Sequence, residues 1–224
     1  MSMLSNLDLI RRVPLFSMLT PAQAESLVEA VAKRRFKRGE HLVNQGDKSN
    51  ALYIILSGRT RVIMTDSKGR EVIIATLRSG DYVGEMSLID GEPHSATVVV
   101  DQQVDALVLG RDDFMRCLAE NSTMSFVVMH ELVQRLRRAS LKISSLALVG
   151  VYGRVANVLL DAAVADEQGV LLIREKVSKQ DIAKMVGASR EMVSRVMKDF
   201  EEQGFIQSLD AGMVRVFERR MAPR

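Results

Sequence analysis

The sequence predicts an α+β chain: an all-β sandwich or barrel in the N-terminal half, then one long helix, then a winged helix-turn-helix at the C-terminal end. Three observations predict it. From Arg34 to Gly110, short runs rich in Val, Ile, Leu and Tyr are broken by Gly, Asn, Asp and Ser at intervals of about ten residues, the spacing of strands in an all-β unit. From Arg111 the glycines stop until Gly150, and the apolar period becomes helical. Beyond Gly150 come a pair of helical segments and two short strand-like runs around a glycine turn.

Thr20-Pro21-Ala22-Gln23 reads as a helix start, with Thr as cap, Pro at the first helical position and Gln at the reciprocal capping position. That helix is expected to run to about Ala32. Strands are expected at His41–Asn44, Leu52–Leu56, Thr60–Thr65, Glu71–Leu77, Ala96–Val100 and Val104–Leu109, with Ser67-Lys68-Gly69 as a hairpin tip whose glycine is left-handed. A short helix near Asp112–Ala119 precedes a long one over Ser122–Val149. On the long helix Met129, Leu132, Leu136, Ala139, Ile143, Leu146 and Gly150 recur at alternating steps of three and four, a heptad seam. Such a seam packs on its own domain or pairs with a second copy. The flanking Arg135, Arg137, Arg138 and Lys142 fit a two-stranded coiled coil better, so Met129, Leu132, Leu136, Ala139, Ile143 and Leu146 are expected at a homodimer interface. After Gly150 the expected elements are a helix over Tyr152–Ala165, a strand Val170–Ile173, two helices, and strands Phe205–Leu209 and Met213–Phe217 around Asp210-Ala211-Gly212. The domain ranges are 1–120, 121–150 and 151–224, with Gly150 and Gly153 as candidate hinge positions.

Two helices meet at a sharp angle only if a small residue sits at their closest approach, a glycine takes the positive φ of the turn and aliphatics fill the angle. Lys179 to Met197 meets these conditions: Ile182 and Val186 face inward, Ala183 is the small contact, Gly187 is the turn, Val193 and Val196 anchor the second helix, and Ser178 and Ser189 are natural caps. The other side of the second helix carries Arg190, Glu191, Ser194, Arg195 and Lys198. An arginine fork matches guanine O6 and N7, and a carboxylate accepts from cytosine N4, both in the major groove. Glu191 and Arg195 also stand four apart, the spacing of a solvated ion pair. A carboxylate in the middle of a basic face is unfavourable beside phosphates, so its presence points to base reading. Lys179 and Lys198 are placed for phosphate contacts.

Composition excludes several classes. The chain has 224 residues, 47% apolar and 26% charged, so it folds as a globular protein. No apolar run approaches the roughly 18 residues that cross a bilayer, and the first residues, with Asp8 and Arg11-Arg12, do not read as a signal peptide; a cytoplasmic location and no membrane partner are expected. One cysteine, Cys117, and three scattered histidines give neither an internal disulfide nor a Cys/His metal site. No nucleophile–base pair and no phosphate-cradling loop appears, so the chain is not expected to be an enzyme. A net charge of +3 permits nucleic-acid binding without requiring it.

Gly39-Glu40, Gly46-Asp47, Tyr53-Ile54-Ile55-Leu56-Ser57-Gly58, Gly80-Asp81, Gly84-Glu85-Met86-Ser87-Leu88 and Ser189-Arg190-Glu191-Met192-Val193-Ser194-Arg195 together resemble the cyclic-AMP receptor protein/FNR family of bacterial transcription regulators, in the family's order and over nearly the whole chain. The resemblance implies a cyclic-nucleotide-binding β-roll of jelly-roll type, a long dimerisation helix and a winged helix-turn-helix. It implies a homodimer on a pseudo-palindromic promoter site with TGTGA-like half-sites, with RNA polymerase as partner. Ser178, Lys179, Ser189, Arg190, Glu191, Ser194, Arg195 and Lys198 become the expected DNA-binding set. The expected effector set is Gly84, Glu85, Met86, Ser87, His94, Ser95, Arg135, Arg138 and Ser140.

The effector set departs from the family's cyclic-AMP binders. Where they carry Arg-Ser/Thr against the phosphate, this chain has His94-Ser95; where they carry Thr-Ser against adenine, it has Ala139-Ser140. Histidine is mostly neutral at pH 7 and offers no bidentate fork. Another anionic nucleotide is therefore the first effector expected, and the resemblance points to cyclic di-GMP because some members of the family use it. Its two phosphates and two guanines would want the guanidinium groups of Arg59, Arg61, Arg70, Arg78, Arg135, Arg137 and Arg138, which otherwise form a solvated basic surface. Weak cyclic-AMP binding and a vestigial pocket are the alternatives. From another class, such rolls also serve as regulatory subunits of enzymes or channels, which the C-terminal helix pair disfavours.

Overall fold

The computed structural model describes residues 10, 13–16, 19–175, 177–209 and 212–217. Packing divides the chain into two units, Met1–Arg137 and Arg138–Arg224.

In the first unit, α1 (Pro21–Ala30) opens with the expected capping box on Thr20. The Gln23 side chain accepts from the Thr20 amide at 2.9 Å and from Asn121 Nδ2 at 3.1 Å, while Asn121 Oδ1 accepts from the Met124 amide at 2.9 Å. One capping residue thus joins the starts of two helices far apart in sequence. The chain then enters β1 (Val31–Phe36), β2 (His41–Val43), β3 (Ala51–Thr65), β4 (Glu71–Leu77), β5 (Tyr82–Val83), α2 (Glu85–Asp90) and β6 (Thr97–Gly110). The antiparallel order is β1-β6-β3-β4, with β2 also on β6 and β5 on β3. Two helices follow, α3 (Arg111–Glu120) and α4 (Ser122–Leu148).

Three expectations are corrected here. The first helix ends at Ala30, not Ala32, because Val31–Phe36 pairs with Val104–Leu109 as a strand. The runs Leu52–Leu56 and Thr60–Thr65 are one strand: its pairing with β6 shifts register around Ser57 and Arg59, so the bulged chain bends where it was expected to stop. A Cβ on Gly58, at φ +90°, would lie 2.1 Å from the Gln103 carbonyl oxygen, so only glycine fits that bend. The runs Ala96–Val100 and Val104–Leu109 likewise fuse into β6.

Ile54, Leu107, Leu88, Phe114 and Met124 belong to one buried cluster that ties the sheet to the surrounding helices. Leu42, Ile55, Val98, Val100 and Val104 form a second, inside the roll. Burying each such side chain stabilises the fold by about 1.5–3 kcal/mol relative to exposure.

The second unit contains the end of α4, then α5 (Val151–Ala162), β7 (Val164–Ala165), β8 (Leu171–Ile173), α6 (Lys179–Val186), α7 (Arg190–Glu202), β9 (Ile206–Ser208) and β10 (Val214–Val216). The strands are ordered β7-β8-β10-β9. Val155, Leu159, Ile182, Ala183, Val186, Val193 and Val196 form its core. α5 stops at Ala162, not Ala165, because Val164 and Ala165 pair with Leu172 and Leu171. Asp166 closes that hairpin, its Oδ1 accepting from the amides of Gln168 and Val170, both at 2.9 Å. Of the expected glycine turn, Asp210 and Ala211 lie outside the described residues; Gly212 has φ +77°.

Candidate functional site

In the second unit the sharp turn is built from the residues that the pattern singled out. Ser178 Oγ accepts from the Asp181 amide at 3.0 Å, Gly187 is left-handed at φ +63°, and Ser189 Oγ accepts from the Met192 amide at 3.1 Å. Each cap is worth about 1 kcal/mol. Val193 and Val196 are fully buried, which fixes the rotation of α7 about its axis. Arg190, Glu191, Arg195 and Lys198 then stand exposed on the opposite side, with Ser194 half-buried. Lys179 is exposed at the start of α6. Ser178 is half-buried, and its hydroxyl also donates to Asp181 Oδ2 at 2.8 Å, so its first task is to hold the helix.

The Glu191–Arg195 ion pair does not form among the described residues: both side chains are exposed, where water competes and such a pair is worth little. Lys198 instead reaches Glu202 at 3.5 Å. The guanidinium groups of Arg190 and Arg195 and the Glu191 carboxylate thus face solvent.

Of the effector residues of the first unit, Gly84, Glu85, Ser87 and His94 are buried, and Glu85 and Arg135 are bonded to each other. Gly84 opens α2 at φ +105°, and a Cβ there would come within 2.5 Å of the Ala51 carbonyl oxygen, so the cradle's backbone lies directly against β3. Glu85 is 1% exposed. Its Oε1 accepts from Arg135 Nη1 at 2.8 Å, and its Oε2 is buried without a hydrogen-bond partner. Burial pushes the Glu85 carboxyl above its ordinary pKa, against the opposing pull of Arg135. Arg135 also donates to the Tyr82 carbonyl at 2.7 Å and to Glu131 at 3.3 Å, and lies 5.0 Å from the Tyr82 ring centroid. The Tyr82 hydroxyl is buried without a hydrogen-bond partner, and burial raises its pKa.

His94 is 8% exposed, and its Nε2 shares a 2.7 Å hydrogen bond with Ser49 Oγ. Its amide donates to the Asp47 carbonyl at 2.9 Å, and its own carbonyl accepts from the Gly46 amide at 2.8 Å. Burial lowers the pKa of the ring, with Asp47 opposing. The Ser87 hydroxyl donates to the Glu92 carbonyl at 2.6 Å, while Met86 and Ser95 are exposed. Arg138 and Ser140 are exposed on the part of α4 that belongs to the second unit. Several arginines counted as a phosphate supply have carboxylate partners: Arg59 and Arg61 on Asp101 at 2.6 and 3.3 Å, and Arg70 on Asp66 at 2.6 Å.

Along α4 the exposed apolar stripe differs in phase from the expected seam. Met129, Leu136 and Ile143 are 56%, 68% and 67% exposed, and Ala139 and Leu146 are also exposed. Leu132, however, packs on the first unit's core. Its place in the stripe is taken by Phe126 and Val133. The three-four rhythm allows either phase, and only the core contact of Leu132 distinguishes them. Tyr82, Glu131 and Ser49 were also absent from the expected set; Glu131 is legible as the residue four before Arg135.

Among the described residues no group of three His, Cys, Asp or Glu could hold a metal ion, and no helix is long and apolar enough to cross a membrane.

Comparison with known proteins gives the class first. Residues 33–121 match the cyclic nucleotide-binding domain, and residues 153–220 match the Crp-like helix-turn-helix domain. Together these define a DNA-binding transcription regulator with a cyclic nucleotide-binding domain, and not an enzyme. The cyclic AMP receptor protein of Thermus thermophilus is 32% identical over 205 residues, covering 92% of this chain and 93% of that one. The cAMP-activated global transcriptional regulator Vfr of Pseudomonas aeruginosa is 31% identical over 199 residues, covering 85% and 92%. The chain belongs to the cyclic-AMP receptor protein/FNR (CRP/FNR) family. The solved c-di-GMP responsive global regulator CLP of Xanthomonas campestris superposes with a TM-score of 0.77 at 23% identity, covering 89% of this chain and 100% of that one, a likeness of fold.

Proposed function

We propose that two copies of this chain pair along α4 and read a pseudo-palindromic promoter site with TGTGA-like half-sites, under the control of a cyclic nucleotide held by the β-roll, with RNA polymerase as protein partner. The roll over residues 1–120 is the sensor, 121–150 the dimer helix and 151–224 the reading head. One observation carries the reading: Arg190, Glu191 and Arg195 share the exposed side of a helix whose opposite side is fully buried. The two arginines match guanine edges and the carboxylate matches cytosine N4. The apolar stripe Phe126, Met129, Val133, Leu136 and Ile143 supports pairing, because a row of exposed large side chains on one helix is stabilised by a second copy.

Two ligands are favoured by different observations. The missing guanidinium at position 94, where a buried histidine is bonded to Ser49, leaves the phosphate of cyclic AMP without a cationic fork, so cyclic di-GMP, held by arginines elsewhere, is the other ligand. Cyclic AMP is favoured by the orphaned Glu85 Oε2, an acceptor suited to one ribose hydroxyl, and by the similarity to the cyclic AMP receptor protein of Thermus thermophilus and to the cAMP-activated regulator Vfr. Effector acts on the heads only through a difference in its affinity for their arrangements. Calorimetric titration with cyclic di-GMP, cyclic AMP and cyclic GMP separates the ligands; heat with none of them overturns the effector reading.

Fluorescence anisotropy on a TGTGA palindrome and a scrambled duplex, with and without each nucleotide, tests DNA reading. Arg190→Ala is expected to cost about 1–3 kcal/mol on the palindrome and to relax preference at one base. A wild-type chain that binds both duplexes equally, or that sediments as a monomer, overturns the proposal.

A further inference from the structure

The first turn of α5 lies where the elements that aim α7 come together. From it, Arg154 spans two helix ends: Nε donates to the carbonyl of Val186, the last residue of α6, at 2.9 Å, and Nη1 donates to the carbonyls of Val149 at 2.8 Å and Leu146 at 3.4 Å, at the end of α4. The last carbonyls of a helix lack intrahelical partners and carry partial negative charge, so one guanidinium satisfies orphaned acceptors of two helices and complements both dipoles. The same junction is closely packed. A Cβ on Gly187 would stand 3.6 Å from Leu146 Cδ2, and one on Gly153 would stand 2.6 Å from Val149 Cγ1. Gly153 therefore lies inside a helix at a point of close approach, not at a swivel. Two residues before Arg154, the Tyr152 hydroxyl donates to Asp199 on α7, and its ring meets Phe200 edge-on at 6.0 Å.

We infer that Arg154 is a positioning residue that sets the half-site spacing the dimer accepts. It does so by fixing the direction of α7 relative to the end of the dimer helix. The inference rests on the dimeric reading proposed above. Ile143 and Leu146 of α4 lie in the same compact unit as α7, and the Arg154 clasp bridges Gly150 between them. With the clasp closed, the reading helix and the last part of the pairing helix move as one body. Sequence preference resides in Arg190, Glu191 and Arg195; spacing preference resides in the clasp.

The experiment is anisotropy of the full-length chain on TGTGA palindromes with the best-bound spacer and with two base pairs added or removed, alone and with cyclic AMP or cyclic di-GMP. Two base pairs turn one half-site by about 70° and move it by about 7 Å. Wild type is expected to lose at least about tenfold in affinity on the altered spacers, and Arg154→Ala no more than about threefold, while it still discriminates the palindrome from a scrambled duplex. Arg154→Lys, which keeps the charge but not the fork, is expected to behave similarly, and it replaces the alanine variant if that variant loses its helical circular-dichroism signal. Wild-type spacing discrimination in a folded variant overturns the inference, as does loss of sequence and spacing preference together. A wild-type chain with no spacing preference overturns the dimeric reading beneath it.

Discussion

The two halves of the chain hold their functional polar residues in opposite ways. In the reading head, the chemistry faces out: Arg190, Glu191, Arg195 and Lys198 are exposed, and the helix that carries them is held from behind by Val193 and Val196. In the roll, the chemistry faces in: Glu85 is 1% exposed and His94 is 8% exposed, and each is hydrogen-bonded within the chain. A surface that meets a large polyanion can leave its ions hydrated until the partner arrives. A cradle for a small ligand must desolvate its polar groups beforehand, so it needs internal partners such as Arg135 for Glu85 and Ser49 for His94. Substitutions of these side chains should therefore fail differently: by lost binding at constant stability for the exposed charges of the head, and by lost stability as well for the buried groups of the roll.

The largest expected departure follows from Arg135. Arg135→Ala leaves the Glu85 carboxylate buried without its cation, uncovers one face of Tyr82 and removes a donor from the Tyr82 carbonyl. Removing one partner of a buried pair costs about 3–5 kcal/mol; since Arg135 is 27% exposed, about 2–3 kcal/mol is expected here. Urea denaturation of the full chain, read by circular dichroism, checks it. A cost below about 0.5 kcal/mol would mean that the fold of the roll does not depend on this buried pair, and the contrast with the head would break.

A smaller effect sharpens the other side. Ser189→Ala removes the acceptor for the Met192 amide and should destabilise the head by about 1 kcal/mol. Because Arg190 and Glu191 lie on the first turn of α7, fraying there should also weaken binding to a TGTGA duplex, whereas Ser178→Ala, one helix earlier, should cost similar stability with less binding loss. Paired denaturation and anisotropy curves on both variants check it; equal binding losses would show that the cap supports the fold without aiming the reading edge.

How much was legible in advance follows the same division. The head could be read from its sequence because its constraints are local: Ser178, Gly187 and Ser189 lie within twelve residues, and each dictates its own backbone conformation. β4 was legible over Glu71–Leu77 for the same reason, since turns enclose it on both sides. β1 was not, because the charged run Lys33-Arg34-Arg35 shows no apolar alternation; what fixes it is the partner strand, where Asp105, 70 residues away, accepts from Arg35 at 2.7 Å. The Ser57-Gly58 step reads as a strand end; only its approach to the Gln103 carbonyl reveals a bend. The phase of the α4 stripe turns on whether Leu132 or Val133 meets the core, a one-residue difference that periodicity alone does not resolve. In the effector set, Glu85 follows from the resemblance and Arg135 from the count of arginines, but their pairing across 50 residues is a tertiary fact.

The smallest expected effect tests whether burial in the roll matters at a neutral site. Burial holds the pKa of His94 below its ordinary value of 6.5, with Asp47 pulling the other way and Ser49 bonded to Nε2. Above about pH 6.5 the ring is neutral in both the folded and the unfolded chain, and the full stability is present. As pH falls below that value, the unfolded chain takes up a proton that the folded ring resists, so stability declines until the folded ring also titrates. His94→Gln keeps a side chain able to bond Ser49 but cannot gain that proton. Its melting temperature should therefore fall less than that of wild type between about pH 7.5 and about pH 5.5, the difference opening as histidine begins to titrate. Parallel slopes for the two proteins would mean that the ring titrates as if in water, and that the packing around position 94 is looser than its bond to Ser49 requires.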